Sequence, residues 1–181
     1  MPSIAGFFRS AVALPVLLLA ILVTGSAHAD WRTHTPDAQV LGEGKLTWLG
    51  MHIYSARLWA AQPEQLFEQP FALELTYQRE ISRERLVKTS IDEIRRVKGR
   101  SVADDHLQRW AAEMHLAFDD VSPGEQIVGV HLPGVGTQFY TNGQPSHRVA
   151  DTEFSEAFFA IWLDPKTRSP SLRRSLLGLE K

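Results

Sequence analysis

The chain has 181 residues, 19 Lys and Arg against 21 Asp and Glu, a formal charge of -2, and no cysteine. The lack of cysteine excludes disulfides, zinc-thiolate sites and thiol chemistry, and the near-balanced, interspersed charge argues against a dedicated nucleic-acid surface. The length suits one domain that buries on the order of two thirds of the surface its unfolded form exposes.

Residues 1–29 read as a secretory signal peptide. Arg9 is the only charged residue before Asp30, Ala11 to Val23 is an apolar run too short to span a bilayer comfortably, and Ala27-His28-Ala29 is a small-x-small cleavage site. Cleavage after Ala29 is expected over retention as an anchor, because Pro15 and Gly25-Ser26-Ala27 favour processing. The expected product is a periplasmic or secreted protein, a single domain over residues 30–181, with no stable membrane span.

Val40 to Trp48 and Met51 to Ala60 read as two extended segments separated by Leu49-Gly50, with Gly42, Gly44 and Gly50 allowing bulges or tight turns. Phe71 to Tyr77 alternates most clearly. Phe71, Leu73, Leu75 and Tyr77 share one face and Ala72, Glu74 and Thr76 the other, as in a half-buried antiparallel strand. Ser82 is placed to N-cap a helix ending near Gly99, with Ile81 and Leu86 as a hydrophobic staple and Val87, Ile91 and Ile94 as its buried stripe. Ser101 and Asp104 form a capping-box pattern before Leu107, Trp110, Ala111, Met114 and Phe118 at helical spacing, and Ser122-Pro123-Gly124 ends that helix.

Gln126 to Leu132 and Thr137 to Tyr140 are strand-like on either side of Pro133-Gly134, and Asn142-Gly143 signals a hairpin into a piece ending at Val149. Asp151 then caps a helix to Leu163 in which Phe154, Ala157, Phe158, Ile161 and Trp162 form one wide apolar stripe, and Pro165 stops it. A shorter helix, with Ser169 as N-cap and Pro170 at its first position, carries Leu172, Leu176 and Leu177 and ends at Gly178. The order is strands, helix pair, strands, helix pair. It predicts an α+β domain with an antiparallel sheet and helices covering one face.

Motifs for common chemistries are weak. Of seven histidines, His28 falls in the leader, and His34, His52, His106, His115, His131 and His147 fit no compact ligand motif, so no metal and no other cofactor is expected. Asp104-Asp105 and Asp119-Asp120 read as a helix cap region and a helix end rather than as paired catalytic carboxylates. There is no Gly-x-Ser-x-Gly and no phosphate loop.

The segment Gly134 to Gly178, taken with Tyr77-Gln78-Arg79-Glu80-Ile81 and Lys45 to Trp59, resembles the chalcone isomerase-like family in its bacterial exported branch. The matching features are the Gly-Lys strand leading to Ile53-Tyr54, the step at Arg79-Glu80-Ile81, the Asn142-Gly143 hairpin and the helix with Phe154-Ser155-Glu156-Ala157. The resemblance implies an open-faced β-sandwich, a large antiparallel sheet covered by helices, with a ligand cleft between the layers. It also implies kinship with plant chalcone isomerases and with non-catalytic relatives, some of which bind fatty acids. The plant enzymes' site matches poorly. Their threonine position falls on Leu49, no arginine lies between Arg32 and Arg57, the helix from Ser82 to Val97 has neither Tyr nor Asn, and only Ser155 fits its position. Losing one oxyanion donor typically costs about a hundredfold to a thousandfold in rate, so losing several argues against efficient cyclisation.

Arg79 follows the clearest strand and could bind a carboxylate beside Tyr77, or pair with Glu80 or another acidic side chain. Arg57 lies in an apolar strand and could face a ligand or snorkel from the open sheet face. The leading expectation is an exported, non-catalytic domain binding an amphipathic small molecule such as a fatty acid, with Arg79, Tyr77, Arg57, Tyr54 and Ser155 as candidate contacts. One alternative is an isomerase or intramolecular lyase using Ser155, Tyr54, Tyr77 and His131 as acid and base groups. The other is a protein-interaction module presenting exposed Trp and Phe residues.

Overall fold

The structure is a computed structural model that describes residues 30–179. The expected signal peptide and cleavage site lie outside the described residues. Six strands, β1 (Gln39–Trp48), β2 (Met51–Ala60), β3 (Phe71–Tyr77), β4 (Gln126–Leu132), β5 (Gly136–Thr141) and β6 (Gln144–Val149), form one antiparallel sheet in which spatial order equals chain order. Helices α1 (Arg83–Lys98) and α2 (Asp104–Ala117) are inserted between β3 and β4, and α3 (Thr152–Leu163) and α4 (Pro170–Leu176) follow β6. The α+β class and the helix-covered antiparallel sheet are therefore as the sequence pattern requires.

Local chemistry sets the boundaries. The Ser82 hydroxyl accepts the Arg85 N–H at 3.4 Å, and Asp120, from the segment after α2, accepts the Arg83 N–H at 2.8 Å. Two acceptors thus cover the first turn of α1. Asp151 caps α3 by accepting the Phe154 N–H at 2.9 Å, and it also takes the indole N–H of Trp110 at 2.9 Å, which ties α2 to the start of α3. Burial works against the Asp151 carboxylate, but these donors outweigh it and hold its pKa below the usual range. The capping box expected at Ser101 does not form. The chain makes a 3-10 turn at Gly99–Ser101, Ser101 donates to the Lys98 carbonyl at 2.7 Å, and α2 starts from Ala103 without a side-chain cap.

The two tight hairpins use the same backbone turn. Leu49 and Gly50 have φ of 49° and 77°, and Asn142 and Gly143 have 49° and 79°. Both central residues are left-handed, as a two-residue turn matched to strand twist demands.

The main core lies between sheet and helices. It takes Ala56 and Leu58 from β2, Phe71, Leu73, Leu75 and Tyr77 from β3, Ile127 from β4 and Phe139 from β5, against Val87, Ile94, Trp110, Met114, Phe154, Phe158 and Phe159. The helix α3 is buried nearly all round, Ser155 and Ala160 included, so its burial is wider than the single stripe its spacing predicts. A second, smaller core forms on the opposite face, where Trp31 in a 3-10 turn (Trp31–His34) packs with Ala72, Val128, Val130 and Tyr140. That cover makes β3 buried on both faces rather than half-buried.

α4 docks on β1 by close backbone approach. A Cβ at Gly42 would collide with the carbonyl oxygens of Ser175 and Leu176, and one at Gly44 would sit 2.7 Å from a methyl of Leu172. Glycine at both positions is what lets the helix lie on the strand.

Candidate functional site

Between the sheet and the helices lies a nearly continuous stack of aromatic rings. Phe139 packs edge-on against Phe118 at 5.1 Å and Phe158 at 5.1 Å between centroids, Phe154 stacks on Phe158 at 5.6 Å, and Phe159 meets Phe71 at 4.7 Å. The stack sits close to the sheet because Gly129 has no side chain: a Cβ there would be 3.3 Å from the rings of both Phe139 and Phe159. The cleft that the resemblance implies between sheet and helices is filled by these side chains. Two shallow surface depressions lie elsewhere. One, of about 270 Å³, is lined by Glu43, Gly44, Lys45, Ser55, Ala56 and Arg57 of β1 and β2, and the other, of about 120 Å³, by residues including His34, Asp37 and Gln69.

Two polar islands interrupt the aromatic layer, one toward each end of α3. At the C-terminal end the Trp162 indole N–H donates to the Tyr54 hydroxyl at 2.8 Å, and the Tyr54 ring meets that of Tyr77 edge-on at 5.8 Å. Burial drives both phenol pKa values well above the ordinary range. For Tyr54 the indole bond opposes the rise and the charge of Glu93 adds to it; for Tyr77 the neighbouring Tyr54 adds to it. Both phenols therefore stay protonated, and the Tyr54 hydroxyl serves as the acceptor of the Trp162 indole N–H. Glu93 is held by two cations, Arg96 Nε at 2.8 Å and a terminal nitrogen of Arg168 at 2.8 Å, and Arg96 also donates to the Lys166 carbonyl at 2.7 Å. Tyr54 and its cross-strand partner Leu46 are only half-buried, so the core reaches the surface here.

The second island is at the N-terminal end. Thr137 Oγ1 donates to Ser155 Oγ at 2.8 Å, Ser155 Oγ lies 2.7 Å from His131 Nδ1, and His131 Nε2 lies 3.1 Å from the Phe67 carbonyl. One proton arrangement satisfies all of them: His131 carries its proton on Nε2 for Phe67, and Nδ1 accepts from Ser155. Ser155 also lies 3.2 Å from the Gly136 carbonyl. The serine is oriented by a base, but Thr137 and Ser155 are fully buried and His131 stacks on Phe71 at 4.8 Å, so the hydroxyl meets no solvent. The arrangement is that of a satisfied buried network that pins α3 to β4 and β5.

Desolvation lowers the pKa of His131, with the Phe67 carbonyl opposing the shift. A histidine depressed in the fold binds fewer protons than in the unfolded chain, so the stability it confers is present above the unfolded pKa and is lost as pH falls below it. Denaturant unfolding of the wild type from neutral pH down to about pH 5 should show stability falling with acid. In His131→Gln that slope should flatten; an unchanged slope would place the effect on other groups.

Arg57 stands on the opposite face of the sheet, where its Nε donates to Glu43 at 2.9 Å and a terminal nitrogen lies 3.7 Å from the buried Glu74. Those bonds hold its pKa above the usual value, the Glu43 hydrogen bond most of all. Glu74 in turn accepts the Trp59 indole N–H at 3.2 Å. Arg57 is thus ion-paired across β1, β2 and β3, away from Tyr54, Tyr77 and Ser155. Arg79 is exposed in the segment between β3 and α1. Of the five candidates, the fold brings Tyr54 and Tyr77 together, isolates Ser155 at the other end of α3, and keeps the two arginines outside both islands. Sequence reading missed the roles of Trp162, Glu93, Arg96 and Arg168. Trp162 is legible only as part of a stripe, and the Arg168 contact to Glu93 depends on the loop after α3.

This sheet and helix arrangement is also that of a fatty-acid binding protein of Arabidopsis thaliana, which superimposes with a TM-score of 0.60 over 78% of this chain and 87% of that one, at 13% identity. A likeness at that identity establishes the fold. A model of the chalcone isomerase-like family matches residues 44–178, and an uncharacterized protein of Haemophilus influenzae is 31% identical over 144 residues, which is 79% of this chain and 69% of that protein. The chain belongs to the chalcone isomerase-like family.

Proposed function

We propose that the protein is an exported, non-catalytic member of its family that binds an amphipathic carboxylate such as a fatty acid. The observation that carries this reading is the neutral pair of Tyr54 and Trp162, a fixed polar contact where an otherwise dry aromatic layer comes to the surface. Binding sites for such ligands combine apolar walls with a few placed polar groups. The acyl chain would lie along the layer between sheet and α3, displacing ring edges, and the headgroup would meet Tyr54 with Arg96 and Arg168 near the rim, in competition with Glu93. The fatty-acid binding relative in fold supports the ligand class, and the apolar leader supports export.

Displacement of a fluorescent fatty acid from the purified protein tests the reading. Tyr54→Phe should weaken binding about two- to tenfold, the worth of one neutral hydrogen bond, and should also lower the melting temperature by a few degrees, because the buried Trp162 indole N–H loses its acceptor. Arg79→Glu should leave binding unchanged if the headgroup sits at Tyr54. Failure of the wild type to bind long-chain carboxylates, or equal affinity in Tyr54→Phe, would refute the assignment.

A further inference from the structure

The tip of the β1–β2 hairpin carries the largest apolar exposure among the described residues. Leu49 is 83% exposed, Trp48 52% and Met51 45%, in one uninterrupted run with Gly50. Leu49 moreover occupies a left-handed position, with φ of 49°, that disfavours leucine and suits Asn, Asp or Gly. The protein supplies its own comparison. At the β5–β6 hairpin the same turn is built with Asn142, whose side chain accepts the Gln126 N–H at 2.8 Å and donates to Glu125 at 3.0 Å. At the β1–β2 tip a strained, solvent-facing leucine stands where asparagine fits the backbone, and nothing among the described residues accounts for it.

Charge indicates what the tip meets. From Gly44 to Ala61 the chain has no acidic residue, while Lys45 and His52 lie on the strands just behind the tip, His52 paired with Thr47. A convex apolar apex with a tryptophan beside it and the Lys45 cation behind it matches the layering of a bilayer surface, where aromatic rings sit at headgroup level and anionic lipids attract Lys. A two-residue apex offers little area to a rigid protein surface but inserts readily into a yielding one. We infer that the Trp48-Leu49-Gly50-Met51 tip docks the protein onto an anionic lipid surface, with Leu49 as the inserted apex.

Vesicles of phosphatidylcholine and phosphatidylglycerol with brominated acyl chains test this on the purified full chain. Brominated lipid should quench tryptophan emission in the wild type, and the quenching should be largely lost in Trp48→Phe, which isolates the tip from the other four tryptophans and from any tethering by the N-terminal segment. Leu49→Asn should lower the tip's partition about tenfold or more while the melting temperature stays level or rises, because asparagine relieves the turn. Equal quenching in wild type and Trp48→Phe, or undiminished quenching in Leu49→Asn, would overturn the inference.

Discussion

Phe159→Ala should destabilise the protein by about 3–5 kcal/mol, which for a domain of this size lowers the melting temperature by roughly 6–20 °C. Phe159 is fully buried in the centre of the aromatic layer, edge-on to Phe71 at 4.7 Å and to Phe158 at 5.4 Å. It stands over Gly129, so neither the sheet backbone nor the neighbouring rings can readily collapse into the space it leaves. Phe67→Ala is the informative contrast. Phe67 meets Phe71 at 5.3 Å, yet it is 38% exposed, and its loss should cost far less. Calorimetry on the two variants decides the matter: equal shifts would mean that the layer is not the tightly packed body described above.

Ser155→Ala should cost about 2–4 kcal/mol, more than the loss of one small side chain suggests, because two partners are left unsatisfied. Thr137 would lose the acceptor of its 2.8 Å bond and His131 the partner of its 2.7 Å contact, both out of reach of water. Replacing Ser155 and Thr137 together by alanine should cost less than the sum of the single changes, since each removes a group the other depends on. Urea unfolding of the three variants measures this coupling; additive losses would show that the hydroxyls act independently. The same result bears on chemistry. Among the expected site residues, Ser155 is the one that fits the enzymes' pattern, and its hydroxyl is committed to holding α3 against β4 and β5.

How much of this was legible in the sequence depends on the range of the interaction. The strands β1, β2, β3 and β4 and the helix α3 follow from period and punctuation: alternation in Phe71 to Tyr77, the Asn142-Gly143 turn, the Asp151 cap and Pro165. Those signals act within a few residues. The capping box at Ser101 failed because Gly99, left-handed at φ of 60°, favoured a 3-10 turn that commits the Ser101 hydroxyl to Lys98. The two-sided burial of β3 was hidden because it depends on Trp31, forty residues earlier in the chain, folding across the far face. For the site, residue type was readable and company was not. Tyr54 and Tyr77 stood out as phenols near an arginine, but their pairing comes from strand register and their partner Trp162 from the crossing of α3. Arg57 could be read as ligand-facing or snorkelling because its acidic neighbours are cross-strand, Glu43 on β1 and Glu74 on β3, a relation that sequence distance conceals.

The glycines beneath α4 impose an order of events. A helix of seven residues has too few turns to persist alone, so α4 forms only as it settles on the bare backbone of Gly42 and Gly44. Leu46, one pleat further along the same face of β1, and Tyr54 beside it border that landing place. Cover for that edge of the sheet therefore depends on docking rather than on the helix's own stability.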